Sequence, residues 1–256
     1  MTKDEDTVAV WFSCGAASAV ALQKTILRYP KCKIRVLNNP VIEEPDDNRR
    51  FLDDVANWLK VDIELVINPK YPHCSAVKIW EEVHAMAFPK GAPCTTKLKR
   101  EARQYWERTN HFDWLVMGFT AEESRRSDNF RMTERTNLLT PLIDLKISKQ
   151  RCFEIIQKAG IRLPISYHNG LPNANCIGCP KAGSPNYWAA VKKNYPDIFQ
   201  QRLELAERLG VKLLHVRGER LSLTMLDSIQ YRRLEMGIPQ DEQLSFDCGL
   251  FCEENF

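Results

Sequence analysis

A run of small residues, Ser13–Ser18, lies between an apolar stretch and an amphipathic stretch of this 256-residue chain. Small side chains let backbone N–H groups approach an anion, and the start of a following helix adds a partial positive charge. The serine hydroxyls would add donors for phosphate oxygens, although a tight turn that needs small residues only for packing has the same pattern. The segment matches neither the Walker loop nor the dinucleotide-binding glycine motif. The candidate nucleotide-binding residues of this segment are Ser13, Cys14, Gly15, Ala16 and Ser18.

A second segment with chemical potential contains Cys176 and Cys179, with Gly178 between them. Glycine permits the tight turn that aims both thiolates at one metal centre. A redox dithiol or half of a zinc site would have the same spacing. Near the C-terminus, Cys248 and Cys252 form another pair, and the two pairs together would suit a tetrahedral four-thiolate zinc site.

The overall composition is that of a globular protein, with 44% hydrophobic and 27% charged residues. The net charge of +3 is too small to indicate a nucleic-acid surface by itself. No run of 18 apolar residues occurs and the first residues lack the basic stretch of a signal peptide, so we expect a cytoplasmic protein without membrane contact. Cytosolic thiols stay reduced, so disulfides are not expected among the nine cysteines. Cys152, on the apolar face of a predicted helix, is expected to act as a small hydrophobe.

Strands and helices alternate along the first part of the chain, and they position these segments. The predicted strands are Val8–Phe12, Ile34–Leu37, Ile63–Ile67 and Trp114–Phe119, and Thr120–Asp128 is predicted as a loop. The main predicted helices are Ala19–Leu27, Asp46–Leu59 and Lys149–Ala159. This alternation predicts an α/β fold with a doubly wound, mostly parallel sheet and a ligand site at the carboxyl ends of the strands.

The alternation ends near residue 163, which predicts a change of organisation. Residues 163–185 are rich in Pro, Gly and Asn and hold no regular period, so we interpret them as an irregular loop region that bears the cysteine pair. We predict a nucleotide-binding α/β domain over 1–162. Residues 163–256 are predicted as a cysteine-containing loop, helices and a C-terminal tail that pack on the same domain.

Positive charge occurs in short clusters, for which a solvated face is the ordinary use. One cluster consists of Lys97, Lys99, Arg100 and Arg103. Three of these can share a helix face, which would suit phosphates. Arg125 and Arg126 follow the strand that ends at Phe119, so we expect them in the ligand crevice, where arginine suits bidentate phosphate contacts.

Several polar residues follow predicted strands. Asn38 and Asn39 end the second strand, where doubly wound folds meet the adenosine of a nucleotide. Glu122, Glu123 and Asp144 are candidate ligands for a Mg²⁺ ion on the phosphates, or they simply flank a loop.

The small-residue loop and four further segments resemble motifs of a known family and occur in the same order as those motifs. Ser13–Ser18 resembles the pyrophosphatase loop, S-G-G-x-D-S, of the adenine nucleotide alpha hydrolase (PP-loop) family. The other segments resemble its phosphoadenosine phosphosulfate (PAPS) reductase-like branch, namely Ala92–Lys99, Gly118–Arg126, Thr140–Asp144 and Asp247–Leu250. The chain departs from the reductases at Ala17, where the loop has Asp, and at Phe251, where the tail has His.

The resemblance and its departures imply an ATP pyrophosphatase similar to the component of DNA phosphorothioation systems. Such an enzyme would use ATP and Mg²⁺ to activate a nucleic acid for sulfur insertion, most readily DNA phosphorothioation and next tRNA thiolation, with a cysteine desulfurase as sulfur donor. The resemblance also implies a [4Fe–4S] cluster on Cys94, Cys176 and Cys179, with Cys252 as fourth ligand. Zinc is the lesser alternative.

The resemblance implies roles for individual residues as well. The implied catalytic residues are Ser13, Ser18, Arg125 and Cys248, and Gly118 and Lys97 join the nucleotide-binding set. Two other functions stay open at this point. One is a PAPS or APS (adenosine phosphosulfate) reductase in which Cys248 attacks sulfur. The other is a nucleotide-binding scaffold without catalysis, for which Ala17 is the main argument.

Overall fold

The computed structural model describes residues 3–88 and 91–235, and the tail cysteines Cys248 and Cys252 lie outside these ranges. The contacts of the chain divide it into two compact units. The first, here called the sheet unit, comprises the chain up to Pro40 together with Asp46–Ile67 and Ala102–Pro164. The second, here called the cysteine unit, comprises Val41–Pro45, Asn68–Glu101 and the described chain from Ile165 onward.

The sheet unit contains a five-stranded parallel sheet in the order β3-β2-β1-β4-β5. The strands are β1 Thr7–Trp11, β2 Lys33–Asn38, β3 Ile63–Leu65, β4 Trp114–Val116 and β5 Leu138–Leu139. Val8, Ala9 and Val10 of the central strand are fully buried, as expected for an apolar run in the middle of a parallel sheet. The predicted α/β fold with a doubly wound parallel sheet is confirmed.

Eleven α-helices occur in the described chain, and none of them is long and apolar enough to cross a membrane. They are α1 Ala16–Arg28, α2 Asp47–Leu59, α3 Ala76–Val83, α4 Glu101–Thr109, α5 Ser124–Thr133, α6 Pro141–Asp144, α7 Lys149–Lys158, α8 Ile165–His168, α9 Pro185–Asn194, α10 Pro196–Arg208 and α11 Leu226–Glu235. A π-helix, Thr95–Arg100, leads directly into α4. A short hairpin, β6 Leu214–Val216 and β7 Glu219–Leu221, precedes α11.

The predicted loop at Thr120–Asp128 is wrong, because α5 begins within it. The Glu123 carboxylate accepts hydrogen bonds from the Thr120 backbone N–H at 3.0 Å and from the Thr120 hydroxyl at 3.2 Å. This capping box starts a 3-10 helix, Ala121–Glu123, that leads directly into α5, and the signal outweighs the charged, loop-like composition.

The cysteine unit has its own apolar core. Trp80 of α3 and Trp188 of α9 are fully buried, and the Trp188 ring lies 6.3 Å from that of Phe199 on α10. The Trp188 indole N–H donates to the backbone carbonyl of Ala182, which ties the irregular loop to α9. This unit therefore contains a core sufficient to hold the cysteine loop in place.

Candidate functional site

The small-residue loop joins β1 to α1 in the sheet unit, and Ser18 closes it on itself. The Ser18 hydroxyl donates to the Gly15 carbonyl at 2.9 Å and accepts from the Ser13 backbone N–H at 3.2 Å. Cys14 lies at the bend with φ of +56°, a left-handed conformation that is costly for a non-glycine residue. Cys14 and Ser18 are both buried, so the loop is a tight, ordered turn.

Gly118, which follows β4, lies directly against this turn. A Cβ atom at position 118 would lie 2.8 Å from both the Cα and the N of Ser18, and 3.1 Å from the carbonyl carbon of Ala17. These neighbours are backbone atoms, which cannot rotate away. Only glycine therefore lets the end of β4 approach the first turn of α1 this closely.

The start of α1 has the features of an anion-binding site. Its first turn holds no acidic residue, and among the described residues no side chain caps it at Gly15. The first N–H groups of the helix, at Ala16 and Ala17, have no carbonyl one turn earlier in the helix to accept them. Together with the helix dipole, these groups favour a bound phosphate or another anion.

The two asparagines after β2 have different surroundings. The Asn38 amide donates to the Phe12 carbonyl at 2.8 Å and lies 3.5 Å from the Cys14 sulfur, so it braces the loop. The Asn39 amide donates to the Val66 carbonyl at 2.8 Å. Its Oδ1 atom is buried and has no hydrogen-bond partner among the described residues, so it is available to accept from a ligand.

The two arginines that were predicted in the ligand crevice differ, because one is exposed and the other forms an ion pair within the protein. Arg125 is exposed in the first turn of α5 and makes no ion pair with a described residue. Arg126 instead forms an ion pair with Glu123 and lies 5.3 Å from the centre of the Phe119 ring. Arg125 is thus the arginine of this pair that remains open to a ligand.

Arg103 does not contribute to a phosphate-binding face of the cluster formed by Lys97, Lys99, Arg100 and Arg103. The Arg103 side chain is 1% exposed and forms ion pairs with Glu107 and Glu134. Since both carboxylates compensate its charge, Arg103 stabilises the packing of α4 and α5 within the sheet unit.

The candidate Mg²⁺ carboxylates are largely committed to protein partners. Glu123 accepts from Thr120 and pairs with Arg126, and Asp144 pairs with Arg28 at 2.6 Å. Glu122 accepts from the Lys149 backbone N–H at 3.3 Å. These residues fit a resident magnesium site poorly.

Lys97 belongs to the cysteine unit, within the π-helix that follows Cys94. Its ammonium donates to the Tyr71 hydroxyl and lies 4.7 Å from the centre of that ring. This hydrogen bond raises the pKa of Lys97. In the same helix, Lys99 pairs with Glu44 at 3.0 Å, and both side chains are only 10% exposed.

The Cys176–Cys179 loop is held by hydrogen bonds within the cysteine unit. Gly178 adopts φ of +69°, a left-handed turn that glycine makes at little cost. The Tyr187 hydroxyl accepts from the Cys179 N–H at 2.9 Å and donates to the Cys176 carbonyl at 3.4 Å. The Ile177 N–H donates to the Glu43 carbonyl at 3.0 Å. The loop therefore has a defined conformation that brings its two thiols to the same recess.

The three cysteines predicted as cluster ligands share one environment. Cys94, Cys176 and Cys179 are partly buried and pack against the same apolar core of the cysteine unit. This donor set has the soft thiol chemistry that iron–sulfur clusters require. Within residues 3–88 and 91–235, however, no three His, Cys, Asp or Glu side chains are arranged to hold a metal ion. The donor chemistry thus fits a cluster, while the described residues do not form a closed single-ion site.

Sequence reasoning missed Arg202, which lies on α10 beside this loop. It is 3% exposed, and its guanidinium lies 5.1 Å from the centre of the Trp80 ring. Burial lowers its pKa, whereas Glu43 and the thiols of Cys176 and Cys179 act to raise it. The available signal was its position on the apolar face of α10, since Phe199, Leu205 and Ala206 are also buried.

No family model matches this chain, and no curated protein matches it. Among solved structures, the chain is similar to the U34-tRNA thiolase NcsA from Methanococcus maripaludis with its [4Fe-4S] cluster, at 12% sequence identity and a TM-score of 0.43. The match covers 85% of this chain and 77% of that chain. A likeness at this level does not assign a function, which has to come from the residues of the chain itself.

Proposed function

We propose that the chain binds ATP at Ser13–Ser18, cleaves it between the α and β phosphates, and transfers the AMP to an oxygen of a nucleic acid as pyrophosphate leaves. Sulfur then replaces that oxygen, which departs with AMP. One observation carries the proposal: the turn that Ser18 closes lies against Gly118, at the uncapped start of α1. This arrangement presents fixed backbone donors at the carboxyl end of a central parallel strand, where doubly wound folds bind nucleotides.

Each residue of the turn has a separate part in this proposal. Ser18 holds the turn, because its hydrogen bonds with Ser13 and Gly15 are all made inside it. The N–H groups of Ala16 and Ala17 and the Ser13 hydroxyl bind phosphate oxygens. Charge that develops on the leaving pyrophosphate is stabilised by these preorganised donors and by Arg125. Mg²⁺ arrives with the nucleotide and neutralises phosphate charge.

Sulfur chemistry belongs to the cysteine unit in this proposal. Cys94, Cys176 and Cys179 would hold a [4Fe–4S] cluster, whose fourth iron would either bind the sulfur to be transferred or be ligated by Cys252. Cys252 as fourth ligand and Cys248 as a sulfur-carrying thiol remain predictions, since both lie outside the described residues. A cysteine desulfurase would provide the sulfur.

The nucleic-acid substrate that we favour is DNA, with tRNA as the second choice. The test is pyrophosphate release from ATP by the anaerobically purified chain, measured alone, with DNA and with tRNA. Transfer of labelled sulfur to either polymer then identifies the acceptor. We expect nucleic acid to stimulate release in the wild type, and Ser13→Ala to abolish it.

Two results would contradict this function. Nucleotide binding without hydrolysis under every condition would favour the scaffold. Sulfite production from PAPS or APS that depends on Cys248 would favour the reductase. Lys158→Ala is the control, because Lys158 lies at the end of α7, outside the proposed machinery. This variant should leave pyrophosphate release unchanged.

A further inference from the structure

Arg202 is a buried cation without a direct ionic partner among the described residues. It makes no ion pair within 4.0 Å, and its Nε atom is buried without a hydrogen-bond partner there. A buried charge is strongly unfavourable unless it is paired and hydrogen-bonded. The burial of the guanidinium therefore indicates that an anion binds beside it and compensates its charge.

The groups that the structure describes around Arg202 leave this requirement unmet. Glu43 is the carboxylate that acts on it, yet the Glu43 side chain accepts from the Ser75 hydroxyl at 2.6 Å and from the Ala76 N–H at 2.7 Å, at the start of α3. Its oxygens are thus held by the helix start. The ring of Trp80 supplies only a cation–π contact.

The cysteine loop lies immediately beside the arginine. A Cβ atom at Gly178 would lie 2.7 Å from Arg202 Cγ and 3.3 Å from its Nε. The loop backbone can pass this close because position 178 has no side chain. The same glycine therefore shapes the thiol turn and admits the guanidinium stem beneath it.

We infer that Arg202 is a positioning residue of the thiol centre, whose guanidinium donates hydrogen bonds to the anionic sulfur atoms held by Cys176 and Cys179. The inference rests on the cluster of the proposed function. An iron–sulfur centre ligated by thiolates carries negative charge, and hydrogen bonds to its sulfurs tune and retain it. Arg202 stays buried because this centre supplies the anion that the described residues do not place beside it.

The inference predicts opposite effects in the loaded and the iron-free protein. Replacing a buried charge by an apolar side chain of similar length is often neutral or stabilising when the charge has no partner. Arg202→Met should therefore leave the thermal midpoint of the iron-free, reduced chain at or above that of the wild type. The same variant should lose iron to a chelator about tenfold faster, since outer-shell partners contribute about that factor or more to metal affinity.

The experiment uses the full chain, reconstituted anaerobically with iron and sulfide, in three variants. Arg202→Lys keeps the charge without the planar fork and should retain iron better than Arg202→Met. Arg208→Met is the control, because Arg208 lies on the same helix, is 64% exposed and pairs with Glu81. It should match the wild type in iron retention. The reduction potential of the centre gives a further readout, and Arg202→Met should shift it to a more negative value.

The outcomes separate this inference from the proposed function. A lower midpoint for iron-free Arg202→Met with unchanged iron loss would make Arg202 a packing residue and overturn the inference. Equal iron retention in Arg202→Lys and Arg202→Met would overturn it as well. A wild type that takes up no iron overturns both the inference and the cluster, whereas the pyrophosphate assay tests ATP cleavage independently.

Discussion

Gly118 and Ser18 approach each other so closely that a Cβ atom on Gly118 would lie 2.8 Å from the Ser18 Cα atom. Gly118 lies two residues after the end of β4, and Ser18 lies in the first turn of α1. A strand end and a helix start are thus in backbone contact at the proposed phosphate site. The position of the anion-binding N–H groups depends on this contact.

Gly118→Ala should displace the first turn of α1 and weaken nucleotide binding. Overpacking of this kind costs about 1–3 kcal/mol, and we expect at least about a tenfold loss of ATP affinity. Calorimetric titration with ATP measures the loss. Gly160→Ala is the matched control: Gly160 has φ of +75° with nothing within 4 Å of an added Cβ, so it should lose about 1 kcal/mol of stability and no affinity.

Ser13→Ala and Ser18→Ala should separate catalysis from loop stability. Loss of the Ser18 hydroxyl leaves the Ser13 N–H without its acceptor, which costs about 1–3 kcal/mol in a buried turn. The Ser13 hydroxyl makes only a 3.3 Å contact with Ser18 in the described chain, so its removal should cost less than about 1 kcal/mol.

Urea unfolding and pyrophosphate release, measured on both serine variants, give the comparison. Ser18→Ala should lose both stability and activity, whereas Ser13→Ala should lose activity with little loss of stability. Full activity in Ser13→Ala would remove that hydroxyl from the proposed mechanism.

Local patterns were sufficient to predict four of the five strands of the sheet, whereas β5, only two residues long, was not predicted. The apolar run at Val8–Phe12 and the amphipathic stretch at Asp46–Leu59 correspond to β1 and α2 within a residue or two at each end. Apolar periodicity is a local property of the chain, so it can be detected in a single sequence. The start of α5 was missed because its hydrogen-bonded Thr120–Glu123 pair lies in a stretch of polar residues.

The site was predictable only where its chemistry is local. The small residues of the loop and the cysteine pair can be recognised from residue type and spacing. Arg202 cannot, because a lone arginine on an amphipathic helix is ordinarily solvated. Its burial depends on Trp80 and Gly178, which come from distant parts of the sequence. Glu43, which caps α3 from more than 30 residues away, is hidden for the same reason.

Because of the buried thiol of Cys152, we expect the free energy of unfolding to decrease at alkaline pH. Cys152 is fully buried, confirming its prediction as a small hydrophobe, and burial raises the pKa of its thiol from 9.0 to about 12. Above pH 9 the unfolded chain loses this proton while the folded chain keeps it, so the free energy of unfolding decreases as pH rises. The contribution is intact below pH 9 and is lost between pH 9 and about 12.

Comparison with Cys152→Ala isolates this effect, because all other titrating groups are common to both chains. The variant should be less stable at pH 7 by about 1 kcal/mol or more, since it leaves a small cavity. Its deficit should shrink as pH rises from 9 towards 11. A constant deficit, measured by urea unfolding across this range, would contradict a strongly raised thiol pKa.

Tyr187→Phe should loosen the cysteine loop without disturbing the core. The phenylalanine ring keeps the perpendicular contact with Trp188, but the Cys179 N–H loses its acceptor, which costs about 1–2 kcal/mol. We expect the thiols of Cys176 and Cys179 in the iron-free chain to react several-fold faster with iodoacetamide, measured by mass spectrometry. Tyr195→Phe removes a similar hydroxyl contact, to Asn169, away from the cysteines. Equal alkylation rates in the two variants would mean that the Tyr187 hydroxyl does not hold the loop.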